Sequence, residues 1–156
     1  MGFVDSSLLA HHKDLEGSFV RLMADVEGED VLEGRAAFLL FARELNEHFA
    51  AEEQHLIPGF RRVAPDEASR LCEDHREIRN RLASLAIAID LRTLRTEAVA
   101  NFLALLRAHA QREEELLYPW AQQSLSHRRL EAVGQWLGKL SRKVTESLRR
   151  PGATGN

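Results

Sequence analysis

A duplicated segment is the feature of this sequence that most restricts its fold. Residues 48–58 align without gaps on residues 109–119, and each copy holds a histidine, a glutamate four residues later, a second glutamate and a final proline. A weaker pair of matching segments begins at His12 and His75. The order histidine, His-x3-Glu, histidine, His-x3-Glu predicts two equivalent helix pairs related by a pseudo-twofold axis.

Apolar residues recur with the helical period along nearly the whole chain, and the alternation typical of strands is absent. We therefore predict an all-α protein: an up-down-up-down antiparallel four-helix bundle with an additional C-terminal helix. The first predicted helix runs from a cap at Asp5 or Ser6 to about Val26, and the second from 31 to about 57, with a break at Pro58-Gly59. The others run from 65 to about 89, from 94 to about 118 or a little past Pro119, and from 126 to about 149.

Three segments follow from this pattern. Residues 1–125 are predicted to form the four-helix bundle, and residues 126–150 an accessory helix that packs on it. Residues 151–156 have nothing to bury and are expected to be a disordered tail.

Ionisable side chains occupy positions that the helical period assigns to the core of the bundle. Residues four apart lie on one face of a helix, so each His-x3-Glu pair presents an imidazole and a carboxylate in the same direction. Counting from the predicted loops at 1.5 Å per residue places the four histidines within about one turn of the same level. The six residues are His12, His48, Glu52, His75, His109 and Glu113.

A bound metal would explain these side chains. Burying six such groups without compensation costs several kcal/mol for each charged group, too much for a domain whose net stability is about 5–15 kcal/mol. The single cysteine, Cys72, excludes a Cys-rich site, so the ligands must be nitrogen and oxygen. Such a site suits iron, manganese or zinc, and six side chains would serve two ions, with each glutamate able to bridge them.

Composition excludes several other classes of protein. A chain of 156 residues is the size of one domain, and its formal charge of −3 gives no reason to expect nucleic acid as a partner. No apolar run approaches the length of a membrane span, and the first residues lack the pattern of a signal peptide. We expect a cytoplasmic protein with no membrane partner.

These motifs resemble the hemerythrin-like family, also called the His-His-Glu cation-binding domain, over roughly residues 5–121. The resemblance rests on the two gapless His-x3-Glu-Glu segments and on the two histidines at matching depth. It implies a non-haem di-iron centre, with four imidazole ligands and two bridging carboxylates. By this similarity the ligands are His12, His48, His75 and His109 together with Glu52 and Glu113.

The sequence departs from the oxygen-carrying members of that family. Those carriers place a second histidine one turn before the ligand of the third helix, where this chain has Leu71. They also use a His-x4-Asp pair on the last ligand helix, where this chain offers Glu113 and Glu114. The resemblance therefore points away from reversible oxygen carriage, towards members linked to sensing of iron, oxygen or nitric oxide, to iron handling or to peroxide chemistry.

The functional hypothesis is thus a di-iron protein that binds or senses a small diatomic ligand or peroxide, or handles iron. One alternative is a di-iron oxidase or peroxidase. Another is a metal-responsive interaction module, in which the C-terminal helix docks a second copy of the chain or a signalling partner.

Other polar residues receive simpler interpretations. Glu53 and Glu114 are expected to face solvent or to pair with an arginine such as Arg79 or Arg112, with a role as extra ligands as the alternative. Tyr118 is expected to pack the end of the bundle, with a place near the metals as the alternative. The histidines expected on the surface are His11, His55 and His127, and Cys72 is expected to be an inert, half-buried thiol.

Overall fold

The structure, a computed structural model, describes the backbone of residues 3–26 and 31–135 and the side chains of residues 10, 12–24 and 32–135. These residues are almost entirely helical and contain no strand, which confirms the all-α prediction. The elements are α1 (Phe3–Val26), α2 (Val31–His55), α3 (Ile57–Phe60), α4 (Pro65–Asp90), α5 (Thr96–Arg112), a π-helical turn (Glu113–Leu117), α6 (Tyr118–Ser124) and α7, described over 127–135.

The four long helices form a bundle. Helix α1 packs on α2, α2 on α4, α4 on α5, and α5 on α1. Between α2 and α4, Arg35 pairs with Asp90 and Glu53 with Arg79, so the contacting residues run in opposite order along the two helices.

The apolar core has two parts, one on each side of a polar layer. The larger part is centred on Phe19, whose ring lies 5.2 Å from that of Phe41 and 4.8 Å from that of Phe102. The smaller part is built around Leu71 and Leu117, both fully buried. Full burial of each such side chain contributes about 1.5–3 kcal/mol, so the two parts together can hold a layer of buried polar groups in place.

Two predicted helix boundaries are wrong. Helix α1 begins at Phe3, upstream of the predicted cap at Asp5 or Ser6. Helix α2 ends at His55, and Pro58 does not break a helix but lies in the first turn of α3, where its missing N–H costs nothing. The absence of a side chain at Gly59 is needed there, because a Cβ would lie 2.7 Å from Cη2 of Trp120.

The fourth helix of the prediction is interrupted. It was expected to continue as an α-helix to Tyr118, but five residues from Glu113 to Leu117 form a π-helical turn. The Tyr118 N–H donates to the carbonyl of Glu113, five residues back, instead of four. The extra residue in this turn changes which side chains face the bundle interior downstream.

Helix α7 packs against the end of the bundle. Ser126 precedes it, and the Arg129 and Leu130 N–H groups donate to the Ser126 carbonyl. Leu130 and Val133 are buried in the smaller part of the core. The remainder of the predicted fifth helix and the predicted tail lie outside the described residues. Among the described helices, none is long and apolar enough to cross a membrane.

Candidate metal centre

The six residues singled out in the sequence lie together between the two parts of the core. They form two groups of ligand atoms, and within each group the atoms lie within 4.8 Å of one another. The first group holds His12 and His48, the second holds His75 and His109, and both share the same two glutamates. The shared glutamates are Glu52 and Glu113.

Each glutamate directs one oxygen to each group. Glu52 Oε1 lies 3.2 Å from His48 Nε2, and its Oε2 lies 3.5 Å from His75 Nε2. Glu113 Oε2 lies 3.1 Å from His12 Nε2, and its Oε1 lies 2.9 Å from His109 Nε2. This is the arrangement in which a carboxylate can bridge two cations.

The centre is almost completely shielded from solvent. Glu52, Glu113 and His75 are fully buried, and His48 and His109 are at most 3 % exposed. The two glutamates lie one turn beyond their histidines, since the i, i+4 spacing puts both side chains on the same face of α2 or of α5 and its extension. Carboxylates buried to this degree require compensation by charge.

Three of the four imidazoles are oriented by a second carboxylate. Glu53 Oε1 lies 2.8 Å from His75 Nδ1, and Glu114 Oε1 lies 3.1 Å from His12 Nδ1. Because a neutral imidazole that donates from Nδ1 offers its Nε2 lone pair, these contacts direct Nε2 towards the centre. The remaining pair is His109 Nδ1 with Asp74 Oδ2, at 3.5 Å.

This outer layer was only partly predicted. Glu53 does pair with Arg79, as expected, at 2.8 and 3.2 Å. Its contact with His75 was not predicted. Glu114 is one-third exposed and pairs with His12, not with an arginine. The sequence did carry an indication, because the second glutamate recurs in both copies of the repeat. For Asp74, which orients His109, the repeat offers no such indication.

Tyr118 packs in the smaller part of the core, as expected, and its hydroxyl also reaches the centre, as the alternative proposed. Its hydroxyl donates to Glu52 Oε1 at 2.7 Å and lies 3.3 Å from Glu113 Oε2 and 2.8 Å from His12 Nε2. Burial raises the pKa of this phenol well above its usual range, and the charges of Glu113 and Glu52 add to the effect. Without a metal, Tyr118 is therefore a hydrogen-bond donor.

Histidines and glutamates of the centre shift one another's pKa values. Burial acts to lower the pKa of His75, but a hydrogen bond with Glu113 and the charges of Glu52 and Glu113 outweigh it and raise that pKa to about 9. Burial likewise opposes the charge of His109, yet Glu113 and Asp74 raise its pKa to about 10. Burial acts to raise the pKa of Glu113, but His109 and the other histidines hold it well below its usual range. The buried carboxylates are thus anionic, and the charges of the histidines compensate them.

The donor set fits a metal. Two buried atoms that face the centre, Glu52 Oε2 and His109 Nε2, make no hydrogen bond, although His109 Nε2 lies close to Glu113 Oε1. Two ligands bound at a right angle about 2.1 Å from one ion are about 3.0 Å apart. The imidazole–carboxylate distances of 2.9–3.5 Å across the centre are near that separation.

The other candidate residues lie away from the centre. His55 and His127 are exposed, as expected, and His127 pairs with Glu131 at 3.2 Å. The side chain of His11 lies outside the described residues. Cys72 is half-buried, also as expected, and accepts a hydrogen bond of 3.4 Å from Arg61.

A cavity of about 220 Å³ between α1, α2 and α5 reaches the centre from the outside. His12, His48 and His109 line it on the inner side, and Leu106 and Ala110 are among its apolar walls. At the rim, Arg107 donates a hydrogen bond of 2.9 Å to Glu16. The centre is buried but connected to the surface.

The helical bundle holds two groups of nitrogen and oxygen ligand atoms that share two carboxylates. This arrangement is typical of a metal-binding bundle. The chain belongs to the hemerythrin HHE cation-binding domain family, whose model matches residues 4–121. No curated protein and no solved structure gave a match. The family is one of cation-binding domains, and the histidine–glutamate cluster of this chain can hold a metal.

Proposed function

We propose that this protein is a non-haem di-iron protein that binds a small ligand such as oxygen, nitric oxide or peroxide at its metal centre. The observation that carries the proposal is that two groups of ligand atoms share both buried glutamates. One ion would take His12 and His48, the other His75 and His109. Glu52 and Glu113 would bridge them.

Two ions fit this centre better than one. A single cation would fill only one of the two groups of ligand atoms and would leave the two histidines of the other group without the metal that the shared glutamates could also bind. Di-metal carboxylate sites in helical bundles use inward glutamates and histidines from facing helices in the same way. Imidazole and carboxylate ligands suit iron, and manganese or zinc could occupy the same set. Membership of the hemerythrin HHE family favours iron.

The cavity favours a small ligand. Its volume of about 220 Å³ lies below the roughly 300–1,000 Å³ of pockets that bury drug-sized molecules. It opens on His12, His48 and His109, so a molecule within it would meet both ligand groups. Bound iron would supply open coordination positions there. The residues of the chain position the metal, limit access and exclude bulk water.

A ligand-binding experiment tests this proposal. Protein loaded with ferrous iron under nitrogen is mixed with nitric oxide, oxygen or peroxide, and the absorption spectrum is followed by stopped flow. We expect a spectral change with at least one of the three. No change with any of them, in protein shown to hold iron, would contradict the proposal.

A pair of alanine substitutions tests the route. Ala110 lines the cavity, whereas Ala108 is exposed on the same helix. Ala110→Leu would place three further carbon atoms in the cavity and is expected to slow nitric oxide binding at least tenfold. Ala108→Leu is expected to leave the rate unchanged. Equal rates in the two variants would show that the ligand enters elsewhere.

A further inference from the structure

The Tyr118 hydroxyl occupies the position of a ligand atom. Its distances to Glu52 Oε1, His12 Nε2 and Glu113 Oε2 are 2.7, 2.8 and 3.3 Å. His12 belongs to the first group, and the two oxygens are those that the shared glutamates direct to the histidines of that group. Two ligands of one ion at a right angle are about 3.0 Å apart. The phenol oxygen therefore lies as far from the other donors as a ligand of the same ion would.

The π-helical turn brings Tyr118 to this position. In an α-helix, the fifth residue after Glu113 lies about 140° further around the axis, so its side chain faces away from the centre. In this structure the Tyr118 N–H bonds to the Glu113 carbonyl across the wider turn, which reduces that rotation. Single π-helical turns within α-helices are frequently found at functional sites.

The two copies of the repeat differ here. Ile57 is the residue of the first copy that aligns with Tyr118. In that copy the chain keeps the α-helical bond, since the Leu56 N–H donates to the Glu52 carbonyl four residues back. Ile57 is buried in the smaller part of the core and has no ligand atom. In the second group, the ring of Phe49 stacks on the ring of His75, and the two ring centroids are 4.1 Å apart.

We propose that Tyr118 is a further metal ligand, so that the two metal positions are chemically different. This inference rests on the metal centre proposed above. The bond between the phenol oxygen and its proton breaks, the oxygen binds the ion of the first group, and the proton leaves to solvent. No oxidation state changes.

The sequence makes a direct test possible, because Tyr118 is the only tyrosine of the chain. Metal-free protein is loaded with ferrous iron under nitrogen, oxidised with ferricyanide and desalted, and its iron content is measured. A phenolate bound to ferric iron gives a charge-transfer band in the visible region and enhanced phenolate ring vibrations in resonance Raman spectra. Both are expected in the unmodified protein.

Two variants complete the test. Tyr118→Phe keeps the ring and is expected to lose the band and the ring vibrations. Ile57→Val, at the equivalent position of the first copy, is expected to retain both. Ring vibrations absent from iron-loaded unmodified protein would overturn the inference without affecting the proposed di-iron function, as would a band that persists in Tyr118→Phe. Failure of the unmodified protein to hold any metal would instead refute the proposed function, and this inference with it.

Discussion

Glu53 provides a sharp test of how the centre is built. Its carboxylate lies 2.8 Å from His75 Nδ1, and Glu53→Gln would keep the size of the side chain while removing its charge. Loss of a carboxylate that orients a metal-bound imidazole typically weakens metal binding 10- to 100-fold. Glu53 is about one-third exposed and already shares its charge with Arg79, so we expect the lower end of this range. Glu53→Gln should therefore weaken metal binding about tenfold, or by about 1.4 kcal/mol.

The assay is an anaerobic titration of ferrous iron in competition with a coloured chelator of known affinity. Glu114→Gln, the equivalent change in the second copy, should weaken binding by a similar factor through His12. Glu115→Gln serves as the control, because Glu115 is exposed and contacts Gln111. An affinity of Glu53→Gln within twofold of the unmodified protein would refute the orienting role. An equal loss of iron affinity in Glu115→Gln would indicate that the change in overall charge causes the effect.

Three further predictions concern the ligands, their protons and a loop. His109→Ala combined with Glu113→Ala removes one histidine of the second group and a carboxylate shared by both groups, so it should lower metal content and reduce the stabilisation given by metal, which is about 4 kcal/mol per site at a thousandfold excess over Kd. His127→Ala should change neither metal content nor melting temperature, and equal effects of the two variants would refute the assignment. Because the pKa values of His75 and His109 are raised to about 9 and about 10, both imidazoles are protonated at neutral pH, and metal uptake should release protons and tighten as pH rises towards 9. A pH indicator in weak buffer measures this, and uptake without proton release would contradict it. Arg92 has a positive φ of 54° after α4, so Arg92→Gly should raise the free energy of unfolding by about 0.5–1 kcal/mol in urea titrations, and a decrease would be the contrary result.

Much of the bundle follows from the helical period and the repeat. Leu71, His75 and Ile78 are buried along one face of α4, as the spacing of apolar residues predicts. The His-x3-Glu spacing likewise predicts that His48 and Glu52 share a face of α2, and both are buried. Local periodicity is sufficient for such assignments because each depends on the geometry of a single regular helix.

The remainder depends on contacts between helices and on irregular backbone. The π-helical turn adds one residue to a turn, which the period of an α-helix does not reveal, so the sequence left open whether the Tyr118 hydroxyl reaches the centre. The outer carboxylates depend on neighbouring helices, since Glu53 of α2 reaches His75 of α4. Asp74 precedes a ligand histidine on α4 but orients His109 of α5. Such pairs require the relative rotation of two helices, which a single sequence does not specify.

The iron content of the protein tests the central claim most directly. The chain is purified without added chelator from cells grown with iron, and its iron, manganese and zinc are measured by elemental analysis against protein concentration. We predict about two iron ions per chain, and a lower melting temperature after chelation. A preparation without metal whose melting temperature is unaffected by added ferrous iron would contradict the account.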